Sequence, residues 1–361
     1  MAKQVIFLFL MLTCLILISP TEVDCNVVSY GAKPDGATNA MPAFLRAWKA
    51  ACGSAQAATI YVPIGWYVLK VVEFRGPCKS RVTVKIDGTL VASSDYSALG
   101  NSGYWILSIQ VNMLTVIGGT LDAKDCVKTD FVDNIKLGND IVLSRLTSIN
   151  SKVMHIVINS CNDAMVCNVK AIAPNQSPNT DDIHEQSSNG FTITGSMHQS
   201  GDDCISIGPG TTKLYMSNIK CVQAMELGRD ATEDGVRNVT LTNALFTGSD
   251  NGVRIKSCAR PSTSFVGNVL FQNVLIKNVK SPIIIDQNYC PNNQGCPPQS
   301  SEVKISQVTY RNIQGTSSTQ NAVTFDCSTN INLTCMNKAA SSSCKNIRST
   351  SSGLLVSQSC L

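Results

Sequence analysis

Hydrophobic and polar residues alternate along most of this chain in short runs, broken by glycine, proline and asparagine. Residues 59–70 read as two strands around the turn Pro63–Gly65, and Val82–Ile86 and Leu114–Ile117 are short runs with glycine close behind. Further runs follow at 142–149, 155–158, 166–172, 191–193, 214–219, 236–246, 253–255, 269–279 and 303–308. Alternation with period two predicts strands that turn one face inward. One stretch breaks the rhythm. From Asn39 to Ala51, Phe44, Leu45 and Trp48 share a helical face, with Asn39 as the expected N-cap and Pro42 in the first turn.

Three late runs share a phrase: RNVTLTN at 237–243, GNVLFQN at 267–273 and SQVTYRN at 306–312. A recurrence of about 25 to 39 residues, with no linker between repeats, predicts one continuous all-β solenoid. Asparagines at matching corners predict side-chain ladders that close the bends. A solenoid exposes its first coil, so the lone amphipathic helix is expected to cap that end. The tail from Cys327 is rich in Ser and Asn, carries four cysteines, and reads as a disulfide-pinned end.

Lys3, an apolar run from Val5 to Ile18, and Ser19-Pro20-Thr21 describe a secretory leader. The expected division is a signal peptide over 1–24, its boundary approximate between Ser19 and Cys25, and a single domain over 25–361. No later run is long enough to span a membrane, and nothing points to nucleic acid. The composition is 43% hydrophobic and only 6% aromatic, as expected of a globular β repeat. The net charge of +4 suits an acidic polymer as partner and an ordinary soluble protein equally.

Of 16 cysteines, Cys14 lies in the leader, so an odd number remains and at least one thiol is expected to stay free. In an exported chain the others predict disulfides, with Cys52–Cys78, Cys204–Cys221 and Cys290–Cys296 as candidate pairs. The three histidines, His155, His184 and His198, lack metal-binding spacing, so no metal and no cofactor is expected. Asn175, Asn238 and Asn332 open N-x-S/T sequons.

Candidate chemistry gathers in two turns. Ser177-Pro-Asn-Thr-Asp181 precedes one strand, and Gly201-Asp-Asp-Cys204 precedes the next, about one coil later. Residues one coil apart stack roughly 4.8 Å apart, so Asp181, Asp202 and Asp203 are expected to form one acidic patch. Neighbouring carboxylates push one pKa upward, which suits one to act as an acid while another activates water. An Asx-type turn is the structural alternative. In Val253–Lys256 alternation sends Arg254 and Lys256 to one face and Val253 and Ile255 to the core. Arginine can grip a carboxylate through two bonds, and Tyr289 can stack on a sugar or simply pack.

The order Ser-Pro-Asn-Thr-Asp, Gly-Asp-Asp-Cys, Arg-Ile-Lys and Ile-Asp-Gln-Asn-Tyr-Cys resembles the plant polygalacturonases, pectin-degrading hydrolases of glycoside hydrolase family 28. The likeness covers nearly all of the mature chain, including Tyr30–Gly36, Tyr61–Gly65 and Gly76–Ser80. It implies a single-stranded right-handed parallel β-helix that hydrolyses α-1,4-galacturonan with inversion and without metal. By motif, Asp202 matches the general acid, and Asp181 and Asp203 match the pair that activates water. Arg254 and Lys256 match the residues that bind the substrate carboxylate, and Tyr289 matches the tyrosine at the subsite edge. A secreted cell-wall enzyme acting as a monomer on polygalacturonan follows from the same resemblance, with acid and base roughly 6.5–9.5 Å apart.

The chain also departs from that pattern. The family's Gly-His-Gly turn is missing, and 221–230 is shorter by several residues, with only Leu227-Gly228 similar to its end. Glu226 is expected near the site. Asp182 stands in place of a glycine, and Glu185 in place of an apolar strand residue. The alternative these departures imply is a catalytically impaired homologue that still binds pectin. A pectate lyase shares the solenoid but needs calcium and an arginine base, for which no motif is present.

Overall fold

A computed structural model describes residues 22–93, 103–124, 133–136, 138–151, 154–174, 180–199, 203–221, 225–227, 233–290, 301–336 and 342–351. Among them, 29 strands join in one continuous sheet. Each pairing is parallel and links a strand to its counterpart on the next coil. Ala58–Val62 pairs Val82–Ile86, which pairs Leu114–Ile117, and so on along the axis. This is the parallel β-helix the repeat predicted.

Early coils carry three short strands. Later the strands run on around the corner: Thr212–Cys221 pairs both Asn189–Thr194 and Met197–Gln199. Asparagine makes such corners affordable in backbone terms. Asn238, Asn243, Asn268, Asn273 and Asn312 all adopt positive φ, from 50° to 59°, a left-handed conformation that asparagine tolerates better than most residues. Their side chains then bond coil to coil. Asn268 Nδ2 donates to Asn238 Oδ1 at 2.7 Å, Asn273 to Asn243 at 3.2 Å, and Asn312 to Asn273 at 2.9 Å. The repeated phrases are therefore corner ladders.

Inward residues stack in columns such as Ile156–Ile183–Ile205, all 1% exposed or less. Each fully buried aliphatic side chain contributes roughly 1.5–3 kcal/mol, but only when the coils above and below cover it. A neighbouring column runs from Ile193 through Met216 and Leu241 to aromatics, with Phe271 and Tyr310 ring-stacked at 5.3 Å. Within the tail, Val323–Met336 and Ser342–Ser351 continue the parallel ladder.

The helix Met41–Gly53 buries Ala43, Phe44, Ala47, Trp48 and Ala51 over the first coils. Trp48 lies 4.9 Å from the Phe74 ring and donates Nε1–H to Arg75 O. The start of the helix differs from expectation. Ala40 is the N-cap and makes no side-chain cap bond, while Asn39 Oδ1 accepts from Met41 N–H one position earlier. Pro42 sits in the first turn, where its missing N–H is harmless.

The Cys52–Cys78 and Cys204–Cys221 bridges are present. Cys290 is also disulfide-bonded, and Cys296 lies outside the described residues. Cys25 and Cys167 keep free thiols.

Candidate active site

The site is built on one sheet of the solenoid. Its strands are Asp181–Gln186, Ile205–Ile207, Met225–Leu227, Asn251–Cys258 and Ser281–Tyr289, one per coil. Ile183 pairs Ile205, Ile205 pairs Met225, Met225 pairs Val253, and Val253 pairs Ile283. The same register sets Asp181 against Asp203, and Asp182 N–H donates to Asp203 O at 3.0 Å. Two of the three expected carboxylates therefore stand side by side on neighbouring coils. Gly201 and Asp202 lie outside the described residues, as do Ser177, Pro178 and Asn179.

Asp203 is enclosed, at 2% exposure, and Lys256 Nζ reaches its Oδ2 at 3.5 Å. Alternation acts on the Arg254 strand as expected: Val253 and Ile255 are wholly buried in the core, while Arg254 is half-buried on the outer face. Tyr289 gathers both cations. Arg254 Cζ lies 5.0 Å from its ring centroid and Lys256 Nζ 4.7 Å, within range of a cation–π attraction. Lys256 is in register with Asp286. Burial pushes the Asp286 carboxyl up, against the pull of the Asn288 N–H, Arg254 and Lys256. Five of the six expected site residues thus lie on one sheet, and the sixth falls outside the description.

The departures from the family pattern also find places. Asp182 points inward beside Asp181 and is fully buried between two imidazoles, 3.7 Å from His155 Nε2 and 3.5 Å from His198 Nδ1. Burial first, and His198 second, lower the His155 pKa to about 3. Its Nδ1 meets Ser148 Oγ at 2.9 Å. One coil further along the same columns, the Cys204–Cys221 disulfide fills the corresponding space.

Glu185 faces the core between Ile158 and Ile207. Burial raises its carboxyl to about 8, so it is neutral at weakly acid pH. Thr211 Oγ1 lies 2.6 Å from Glu185 Oε2 and 2.8 Å from Gly208 O. The Thr211 hydroxyl is the donor towards both oxygens, and its bond to the carboxyl opposes the upward push of burial. Neither substitution interrupts the ladder.

Residues 222–224 and 228–232 lie outside the description, but Met225–Leu227 still takes its place in the sheet. Glu226 stands in register with Ser206 on the preceding coil.

Two residues not expected at the site are also there. Ser206 Oγ donates to Asp181 Oδ2 at 2.8 Å, and His184 Nδ1 lies 2.6 Å from Ser206 Oγ. The visible signal was alternation: Ile183 and Glu185 face inward, so His184 must face out.

The sequence matches a family model described as glycosyl hydrolases family 28 over residues 52–353. It is 44% identical to a polygalacturonase of Prunus persica, covering 93% of each chain. It is 35% identical to an exopolygalacturonase of Platanus acerifolia, covering 91% of this chain and 95% of the other. The fold is similar to that of a hyperthermoactive exopolygalacturonase from Thermotoga maritima, with a TM-score of 0.78 at 16% identity over 93% of each chain. It is also similar to a polygalacturonase from Erwinia carotovora, with a TM-score of 0.65 at 20% identity over 91% of this chain and 97% of the other. On the family match and the identity to plant relatives, this chain belongs to glycosyl hydrolase family 28.

Proposed function

We propose that the protein hydrolyses the α-1,4-galacturonosidic bonds of polygalacturonan with inversion, and so modifies pectin in the plant cell wall. The observation that carries this is the juxtaposition of Asp181 and Asp203 on adjacent coils with Arg254, Lys256 and Tyr289 on the same sheet. Clustered carboxylates supply acid and base; the cations supply a partner for a polyanion.

In this proposal Asp202 protonates the glycosidic oxygen as the bond to the anomeric carbon breaks. Asp181 and Asp203 orient a water on the opposite face and take its proton as the water attacks. Arg254 and Lys256 hold a galacturonate carboxylate, and the Tyr289 ring, already stacked against both cations, borders the sugar. No metal enters these steps.

We further propose that the chain acts outside the cell as a monomer. Disulfides such as Cys52–Cys78 suit an oxidising compartment. Val23 already pairs with Ala58, so leader cleavage before Val23 keeps the first strand whole. The missing Gly-His-Gly turn favours the second reading, a homologue that binds pectin with little turnover.

Reducing-end release from polygalacturonate by the secreted protein separates the two. The hydrolase reading expects release by the wild type, loss of it in Asp202→Asn, and a β-anomer as first product by NMR. Binding without release by the wild type overturns it in favour of the second reading.

A further inference from the structure

On the outer face of the site sheet a hydrogen-bonded chain leads from the motif residue Asp181 to side chains outside the motifs. Ser206 lies between Asp181 and His184: its Oγ donates to Asp181 Oδ2 at 2.8 Å and meets His184 Nδ1 at 2.6 Å. His184 Nε2 in turn lies 3.2 Å from Gln186 Oε1. The sheet register enforces the contact, since His184 and Ser206 are paired positions on adjacent coils.

Proton counting gives the chain a direction. A serine hydroxyl has one hydrogen, and an ionised carboxylate only accepts. With that hydrogen directed to Asp181, the Ser206 oxygen is left to accept, so His184 carries its proton on Nδ1. The order is imidazole N–H to hydroxyl, and hydroxyl to carboxylate. Gln186 can turn either end of its amide to Nε2, according to whether the ring is neutral or protonated.

The solenoid does not need this chain to stand. The coils are already held by the backbone ladder and by Ile183 and Ile205 stacked in the core. The three side chains lie on the opposite face, where Asp181 and His184 are only half-buried. A bond at one carboxylate oxygen helps to fix the plane in which the other oxygen meets its target.

We propose that Ser206 and His184 are positioning residues for Asp181, the imidazole holding the hydroxyl that in turn holds the carboxylate. The proposal rests on the reading of Asp181 as a water-activating carboxylate. The relay acts through Asp181 and touches no substrate, so its loss lowers kcat and leaves KM nearly unchanged. Because the two residues act in series, their losses do not add.

The test is steady-state kinetics on polygalacturonate, with thermal melts run beside it, for wild type, Ser206→Ala, Ser206→Thr, His184→Ala and the Ser206→Ala/His184→Ala double variant. Each alanine variant is expected to lose about tenfold in kcat with KM within about twofold. The double variant should be no slower than the slower single, and Ser206→Thr, which keeps the hydroxyl, should recover most of the rate. Undiminished kcat in Ser206→Ala, losses that multiply in the double variant, or losses confined to KM overturn the proposal while the hydrolase reading stands. If His184→Ala is not secreted, Ser206→Ala against Ser206→Thr decides. A wild type that releases no reducing ends overturns the hydrolase reading, and this proposal with it.

Discussion

Lys256 Nζ lies 3.5 Å from Asp203 Oδ2, a contact between residues 53 apart in sequence whose side chains are only 6% and 3% exposed. An enclosed pair of this kind contributes little net stability while intact, because desolvation offsets the attraction. Removing one partner is costly, since it strands the other charge. Asp203→Ala is therefore expected to destabilise the fold by about 3–5 kcal/mol. Adding Lys256→Met should restore much of that stability without restoring turnover. Thermal melting of the two variants checks this; equal melting points for single and double variants contradict the pairing.

Glu185 and His155 set opposite pH slopes on stability. The Glu185 carboxyl rises from an ordinary 4.5 to about 8. Between those values the unfolded chain has released a proton that the folded chain keeps, so stability falls as pH rises. His155 drops from 6.5 to about 3. Between those values the unfolded chain has bound a proton that the folded chain refuses, so stability falls as pH falls.

The two slopes oppose each other between about 4.5 and 6.5, giving a plateau at weakly acid pH. Glu185→Gln is expected to raise the melting temperature relative to wild type at pH 8 by several degrees, and to add no such gain at pH 4.5. Melting curves across pH test it, and an equal shift at both ends removes Glu185 as the cause.

Asp182 and His198 occupy the same two columns as Cys204 and Cys221, one coil earlier. The Cα atoms of that disulfide are 6.0 Å apart, and the regular ladder carries the spacing back to the preceding coil. Asp182→Cys with His198→Cys should therefore oxidise to a second, stacked bridge in the secreted protein. Intact-mass measurement and thiol titration decide the outcome; two titratable new thiols in the folded double variant would show that the columns are not equivalent.

Much of this was legible because a solenoid is local. Alternation placed Val253 and Ile255 in the core and Arg254 outside, and the repeated Asn phrases marked the corners. The start of the helix was misread by one residue because Asn39 binds Met41 N–H from outside the helix, a choice made by backbone geometry that the residue type alone does not reveal. Composition alone did not show the course of the tail, where register lets Val323–Met336 and Ser342–Ser351 continue the ladder.

By itself the sequence determined the class of fold, the sheet carrying the site, the motif carboxylates and cations, and two of the disulfide pairs. Each depends on residues within one coil or on a repeat period. The tertiary structure decided what lies across coils: Lys256 against Asp203, both cations against the Tyr289 ring, Asp182 between His155 and His198, and Ser206 between Asp181 and His184. Such contacts depend on register between coils of unequal length, and that register is fixed only when the inward side chains stack and the ladder closes.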